Sequence, residues 1–545
     1  MQSVISHYKQ KGDSLEYKAA LFLIDNMGNK YSYDGTQYRS FLNFIDSIST
    51  NFSSIEMYKE ELSAFSSQYG SLTGTLIKRL DSNTLRTDFL IKNIDQAVKI
   101  YRTAPWCKKM SFSEFCEYVL PYRIGNERLE AFRDSFITKF NYLLSDSTLD
   151  RKQAADSVLK ITSQHGIEIL EFPGSVPDFP PSILEHLKGG TCREVNNLAI
   201  YVMRSIGIPV ADDFTPQWPH RGHGHSWTSL IIKEDSCIDF GGSTSLTVGG
   251  HLKLSNSNRM AKAYRHTYAR QPSSLAMQNG NEDIPEFFKD PYLKDVSNLY
   301  FRGRDIKMKI NNTTDKSLAY LCVFNNWDWV PIQWSFIKKD SAIFRGMGKP
   351  AVYLPAIYLN GKTSALNNNP ILIDSFSKIT ALNADTINLQ TLVLKRKYPV
   401  FDWWNTRNKA LQGGRFQASK DSNFTSPLDV YIINEVPEMT FQEFNLDADL
   451  QYRYWRYLSP DSSYGEIAEV ELYDDDRKLS GERIIGSKGN SKKRLKESVF
   501  DGDPLTFFQS DKPSKNWVGL AFPKPQRVTR IRYLCRNDDN FIRSG

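Results

Sequence analysis

The sequence predicts an α+β multidomain chain, with a helical N-terminal region, an α+β core and β-sandwich modules to the end. Three observations carry this reading. The chain has 545 residues, and a domain takes roughly 100–200, so three or four domains are expected. Apolar residues first recur at helical spacing, then give way to short β-branched and aromatic runs between turn residues. Hydrophobic residues make up 40% of the chain and charged residues 24%, which excludes disorder throughout.

The helical region is expected over 1–165. In LEYKAALFLIDNMG, Tyr17, Ala20, Leu21, Ile24 and Met27 share one helical face, and Gly28 offers a stop. SFSEFCEYVL reads as a helix ending before Pro121. In NERLEAFRDSFITKFNYLL, Leu129, Phe132, Phe136 and Phe140 fall on one side of a third helix. The core, 166–299, opens with the Pro-rich loop FPGSVPDFPPS. A β-rich module, 300–440, holds IKMKI, LAYLCVF, AVYLPAIYL and TLVLKRKY. In its NNWDWVPIQW segment, Trp327 and Trp329 share a strand face while Trp334 has the other parity. The last part, 441–545, reads as short strands such as AEVELY, VGLAF and RIRYL, with SKGNSKKRLK as a solvated basic turn.

Charge and cysteine usage narrow the function classes. Lys+Arg is 69 against Asp+Glu 62, an excess too thin and too dispersed to predict a nucleic-acid partner. No apolar run reaches the roughly 18 residues of a membrane span. The start, MQSVISHYKQKGDSLEYK, lacks the apolar core of a signal peptide, so the chain reads as cytosolic or as a mature form without its leader. Six cysteines include no CxxC pair, which excludes a zinc ribbon. Cys107 and Cys116 are the one disulfide candidate.

The chemistry concentrates in LKGGTCREVNNLAIYVMRSIGIPV. Val195, Leu198, Ala199, Val202 and Ile206 form one helical face, and Gly207 and Pro209 end the helix. Cys192 therefore stands at or near a helix N-terminus. There the dipole and unpaired N–H groups favour a thiolate and can hold an oxyanion. HRGHGHSWTSLII follows, with His225 opening a strand, KEDS as a turn, and CIDF as the next strand, carrying Asp239. A Cys192–His225–Asp239 set suits nucleophilic catalysis, with His225 as base and acid and Asp239 orienting its ring. His223 shares the strand parity of His225 and is an alternative base. A simple hairpin centred on Glu234–Asp235 sets Asp239 opposite Leu230, so a bulge or skewed register is needed to bring it to His225. His220, His223 and His225, with Asp212 and Asp213 upstream, form a competing metal-binding reading. No cofactor is called for by the preferred one.

These residues resemble the transglutaminase-like superfamily, a branch of the papain-like cysteine enzymes. The resemblance rests on GGTCREVNNLAIYVMRSIGIPV, GHSWTSLII and CIDFGG, with His-x-Trp favouring His225 over His223; Phe240 stands where Pro is usual. It implies a papain-type α+β core, a nucleophilic Cys192, a base His225 and an orienting Asp239. YKAALFLIDNM and VLPYRIGNERLEAFR are similar to the leading part of multidomain bacterial proteins of this kind, which implies that Tyr122 and Arg123 shape a substrate groove; Trp227 of the His-x-Trp stretch is expected to bind substrate with them. The tail resembles a discoidin-type, coagulation-factor C-type β-sandwich, through RYLSPDSSYGEIAEVELY, the Phe500–Asp503 turn and the Trp517–Leu520 strand. Such sandwiches run on through further strands, so this one reads as incomplete at Gly545. Trp455 and Phe508 are candidate glycan contacts there, with buried core preferred for both.

Together these features predict a cysteine hydrolase or acyl transferase acting on an amide bond of a peptide or glycoconjugate. The alternative is a non-catalytic, glycan-binding surface protein on a transglutaminase-like scaffold. Either implies an extracellular, periplasmic or surface-anchored protein with no transmembrane segment.

Overall fold

The computed structural model describes residues 1–545 except 53, 70–71, 73, 170–175, 256–257, 311–315, 326–327, 367–368, 392–406, 447–449, 491–493 and 537–545. Trp327 and all but the first residue of TLVLKRKY lie outside the described residues. The chain is mixed α+β and forms two compact units, Met1–Gln390 and Thr391–Gly545. The four expected parts are thus regrouped. The helical region and the α+β core share one hydrophobic core, which runs from Val4 through Phe136 and Leu198 to Tyr268.

In the helical region, Asp13 caps helix Ser14–Asn26 by accepting from the N–H groups of Leu15 and Glu16. Its buried face holds Ala19, Ala20 and Leu23, with Met27 just beyond. That is one position away from the Tyr17–Ile24 stripe. Helix Phe112–Tyr118 forms as expected, capped by Ser111. The third helix is shorter than its periodicity predicts, Arg133–Lys139 followed by Asn141–Leu144. Glu127 explains the loss of its first turns. Its carboxylate accepts the N–H groups of Ile124 and Gly125 at 2.8 Å each, closing a tight turn in place of helix.

The core sheet is antiparallel. Its strands are β1 (Val210–Thr215), β2 (His225–Lys233), β3 (Ser236–Phe240), β4 (Tyr264–His266) and β5 (Leu293–Asp295), in the order β3-β2-β1-β4-β5. The helix Cys192–Ser205 packs on one face. Leu230, Val210 and Phe240 point into the core it shares. On the other face Trp227 packs with Trp218, Leu252, Met260 and Val296.

The β-rich part of the first unit contains β6 (Arg304–Lys309), β7 (Leu318–Phe324), β8 (Trp329–Phe336), β9 (Ser341–Met347) and β10 (Ala351–Leu359). β7 lies between β8 and β10, and β6 pairs with β9. A register shift in β8 places Gln333 opposite Leu321 but Pro331 opposite Cys322. The extra residue reverses the expected parity: Trp329 and Trp334 both pack, with Phe336, on the cluster around Leu318 and Tyr320.

The second unit is two antiparallel sheets. Strands Arg415–Ser419 and Leu428–Ile432 pair within it, so the boundary falls near 390 rather than 440. Phe416, Trp455 and Tyr457 of one sheet pack on Leu472, Ile531 and Tyr533 of the other. Trp455 and Phe508 are both core residues, at 2% and 0% exposed.

All six cysteines are free, Cys107 and Cys116 included. The Cys107 thiol donates instead to the Gly207 carbonyl, 3.2 Å away.

Candidate functional site

Cys192 is the first residue of its helix, after the N-cap Thr191. Thr191 Oγ1 accepts from the Arg193 N–H at 3.1 Å, and the Thr191 N–H donates to Glu194 Oε2 at 2.7 Å, completing a capping box. Gly190 packs closely against this helix start. A Cβ on it would sit 3.0 Å from Glu194 Cβ. Burial raises the Cys192 thiol above its ordinary value, and the Glu194 charge adds to this, outweighing the thiol's own backbone N–H. The lowered thiol expected at a helix N-terminus is therefore not what these surroundings give.

Asn196 fixes the helix on the sheet. Its Nδ2 donates to Ser226 Oγ at 3.1 Å, and its Oδ1 accepts from Thr228 Oγ1 at 3.2 Å. The helix C-terminus runs through Gly207, at φ 83°, into β1, so the helix lies antiparallel to β1 and parallel to β2. Cys192 stands one turn, about 6 Å, before Asn196. It thus occupies the end of the sheet where β2 starts with His225. Ser226 and Thr228 face the helix, so by alternation the His225 side chain projects on the opposite face, with Trp227 and Ser229.

His225 stacks on Trp218, with ring centroids 6.1 Å apart. Its Nε2 lies 2.9 Å from His251 Nε2. Burial first, then the charges of His251 and Arg221, bring its pKa down to about 4. Among the described residues no hydrogen bond joins Cys192 to a histidine.

Asp239 does not meet His225. A register shift at Ile231/Lys233 sets it opposite Ser229, four residues along β2, or about 13 Å. It holds the following loop instead. Its Oδ2 accepts the Leu252 N–H and its carbonyl accepts the Gly249 N–H, each at 2.8 Å. Between those residues stands His251, whose pKa burial lowers and the Asp239 charge raises.

The three residues expected to shape a substrate site are buried. Tyr122 is 1% exposed and its hydroxyl donates to Asp81 Oδ2 at 2.8 Å. Arg123 is 3% exposed, bonded to both Asp81 oxygens and to the carbonyls of Tyr31 and Gly125. Trp227 is 0% exposed and donates to Tyr300 Oη at 2.9 Å. All three are placed as packing groups.

The histidine tract is dispersed. His220 is buried, edge-on to Trp218. His223 is exposed, in a left-handed turn at φ 62°. The two aspartates upstream are engaged elsewhere. Asp212 Oδ2 meets His266 Nδ1 at 2.8 Å, and Asp213 takes a bidentate bond from Arg265. Among the described residues no three His, Cys, Asp or Glu side chains are gathered as metal ligands.

Sequence reasoning missed His251 and the Asp212–His266 pair, which lies on the helix face of the sheet. The signal for His251 was the Gly-Gly before it. Gly249 and Gly250 both have positive φ, which brings the loop back toward β2. No family model, curated protein or solved structure matches the chain.

Proposed function

We propose that the chain is a transglutaminase-like cysteine enzyme, a hydrolase or acyl transferase that opens an amide bond of a peptide or glycoconjugate. One observation carries this reading. Cys192 heads a capped helix and His225 heads the parallel strand β2, so nucleophile and base share one end of the sheet. His225 is neutral at pH 7, so a ring nitrogen is open to a proton, and the same burial makes it a weak base. Its Nε2 is taken by His251, which leaves Nδ1 for the thiol.

The chemistry then follows. The Cys192 proton passes to His225 Nδ1 as Sγ attacks the carbonyl, and the helix N-terminal N–H groups receive the oxyanion. The C–N bond breaks, the leaving amine takes the proton from His225, and water or a second amine releases the acyl group from the thioester. This requires the His225 ring to turn toward the Cys192 side of the strand end. His251 holds the ring in its resting position, and that bond opens as the ring turns.

The raised thiol favours a second reading, a glycan-binding surface protein on a transglutaminase-like scaffold with a discoidin-like second unit. Both readings place the protein outside the cytoplasm. Among the described residues no helix is long and apolar enough to cross a membrane.

Iodoacetamide labelling of the folded chain across pH, read by intact mass, separates the two. The enzyme reading expects Cys192 to react and to slow about tenfold or more in His225→Ala. A Cys192 that stays inert while the protein is folded favours the binding reading.

A further inference from the structure

A cleft of about 670 Å³ opens in the first unit between β4–β5 of the core sheet and strands β8 and β9. That is the size of a small-ligand site. Three independent features describe what it takes. Trp334 and Phe336, two apart in β8, share one face by alternation. Their rings stand edge to face at 5.3 Å on the cleft wall, both partly exposed. They form an aromatic platform for a ring with an apolar face.

The second feature is a hydroxyl without a partner. Ser274 lines the cleft, is 7% exposed, and its Oγ makes no hydrogen bond. A buried hydroxyl is normally satisfied, and this one gains a partner when its side chain turns into the cleft.

The third is a charge surplus. The three lining carboxylates are already engaged. Asp290 accepts the Tyr292 N–H, Asp295 holds the buried Lys262, and Asp340 faces Lys309 at 3.9 Å and accepts from Ser341 Oγ. Lys307, Lys338 and Lys339 line the same cleft, and among the described residues none of them is in an ion pair.

We propose that this cleft binds an acidic saccharide. A pyranose ring stacks on Trp334, a uronate carboxylate meets Lys338 and Lys339, and Ser274 turns its Oγ to a ring hydroxyl. A neutral sugar leaves the lysines unused, and an acidic peptide leaves the platform without a flat ring. The site does not depend on the Cys192 reading, and a Cys192→Ala chain should bind equally well.

The test is calorimetric titration of the full chain with three probes: a glucuronate-containing tetrasaccharide, its carboxyl-reduced form, and hexaglutamate. The acidic tetrasaccharide should bind. Carboxyl reduction should weaken it about tenfold or more, as should Trp334→Ala, and a Lys338→Glu, Lys339→Glu pair should do the same. Both lysines are exposed, so that pair keeps the test intact if Trp334→Ala fails to fold. Absence of binding at millimolar tetrasaccharide overturns the proposal. So does equal binding of the reduced sugar or of hexaglutamate, or binding insensitive to the lysine pair.

Discussion

His225 Nε2 lies 2.9 Å from His251 Nε2, and the loop that carries His251 is tied down by Asp239, which accepts the Leu252 N–H at 2.8 Å. The spatial order His225, His251, Asp239 is not the chain order, and Asp239 holds the His251 loop through its backbone. One ring must donate and the other accept, so at most one of the two imidazoles is charged without losing the bond. His251 therefore depresses the proton affinity of His225, on top of burial.

This relationship predicts how His225 titrates. Burial is the largest cause of its depression to about 4, ahead of His251 and Arg221. In His251→Gln the His225 pKa should rise yet stay below its ordinary value of about 6.5. Ring-proton NMR against pH measures it. A return to the ordinary value would show that the neighbour, and not burial, sets the proton affinity.

Stability toward acid follows from the same groups. His225 and His251 both take protons less readily when folded than when unfolded. The unfolded chain therefore binds protons that the folded chain refuses, and stability falls as pH drops below about 6.5. For His225 the loss stops growing near 4. Discounted for its partial exposure, His225 should cost about 1–2 kcal/mol between about pH 7 and 5. Urea midpoints should show a shallower acid slope in His225→Gln than in the wild type, and equal slopes would refute the assignment.

Much of this was legible in the sequence, and the failures have causes. The Cys192 helix was readable because apolar spacing, Gly207 and Pro209 all agree on its length, and the structure gives Cys192–Ser205. The strands holding His225 and Asp239 were readable from alternation. Their register was not, because a single irregularity at Ile231/Lys233 moves every later pairing by one. The same event in β8 put Trp329 and Trp334 on one face. His251 left little trace, since loop residues carry no period. The apolar pattern around Leu129 overstated a helix because it is blind to a carboxylate such as Glu127 bonding the backbone.

Arg123 and Asp81 make the packing role of the helical region testable. Arg123 gives two 2.7 Å bonds to Asp81 and reaches two carbonyls and Ser32 Oγ, and both partners are almost fully buried. Removing one partner strands the other's charge. Arg123→Ala and Asp81→Ala should each destabilise the unit by about 3–5 kcal/mol by chemical denaturation. The double change Arg123→Met, Asp81→Leu should recover part of the loss. If Arg123→Ala instead left stability intact and slowed turnover alone, the groove role implied by the family resemblance would stand.

A tight turn at Gly242 carries β3 back onto the Cys192 helix. Gly242 has φ 55°, and a Cβ there would sit 2.5 Å from the Val195 carbonyl carbon and oxygen and 2.6 Å from the Asn196 nitrogen. These are backbone atoms of the helix itself, so no side chain can swing aside to make room. Gly250 has a similarly left-handed φ of 76° but nothing within 4 Å of its would-be Cβ. The pair separates conformational strain from collision. Gly250→Ala should cost about 1 kcal/mol, the left-handed penalty alone. Gly242→Ala should cost that plus the collision, about 3 kcal/mol or more. It should also shift the helix against the sheet. Asn196 would then lose its bonds to Ser226 and Thr228, and the labelling rate of Cys192 should change in the folded protein while Gly250→Ala leaves it unaltered. Equal melting temperatures for the two variants would mean that the turn yields rather than the helix, and that Gly242 does not position Cys192.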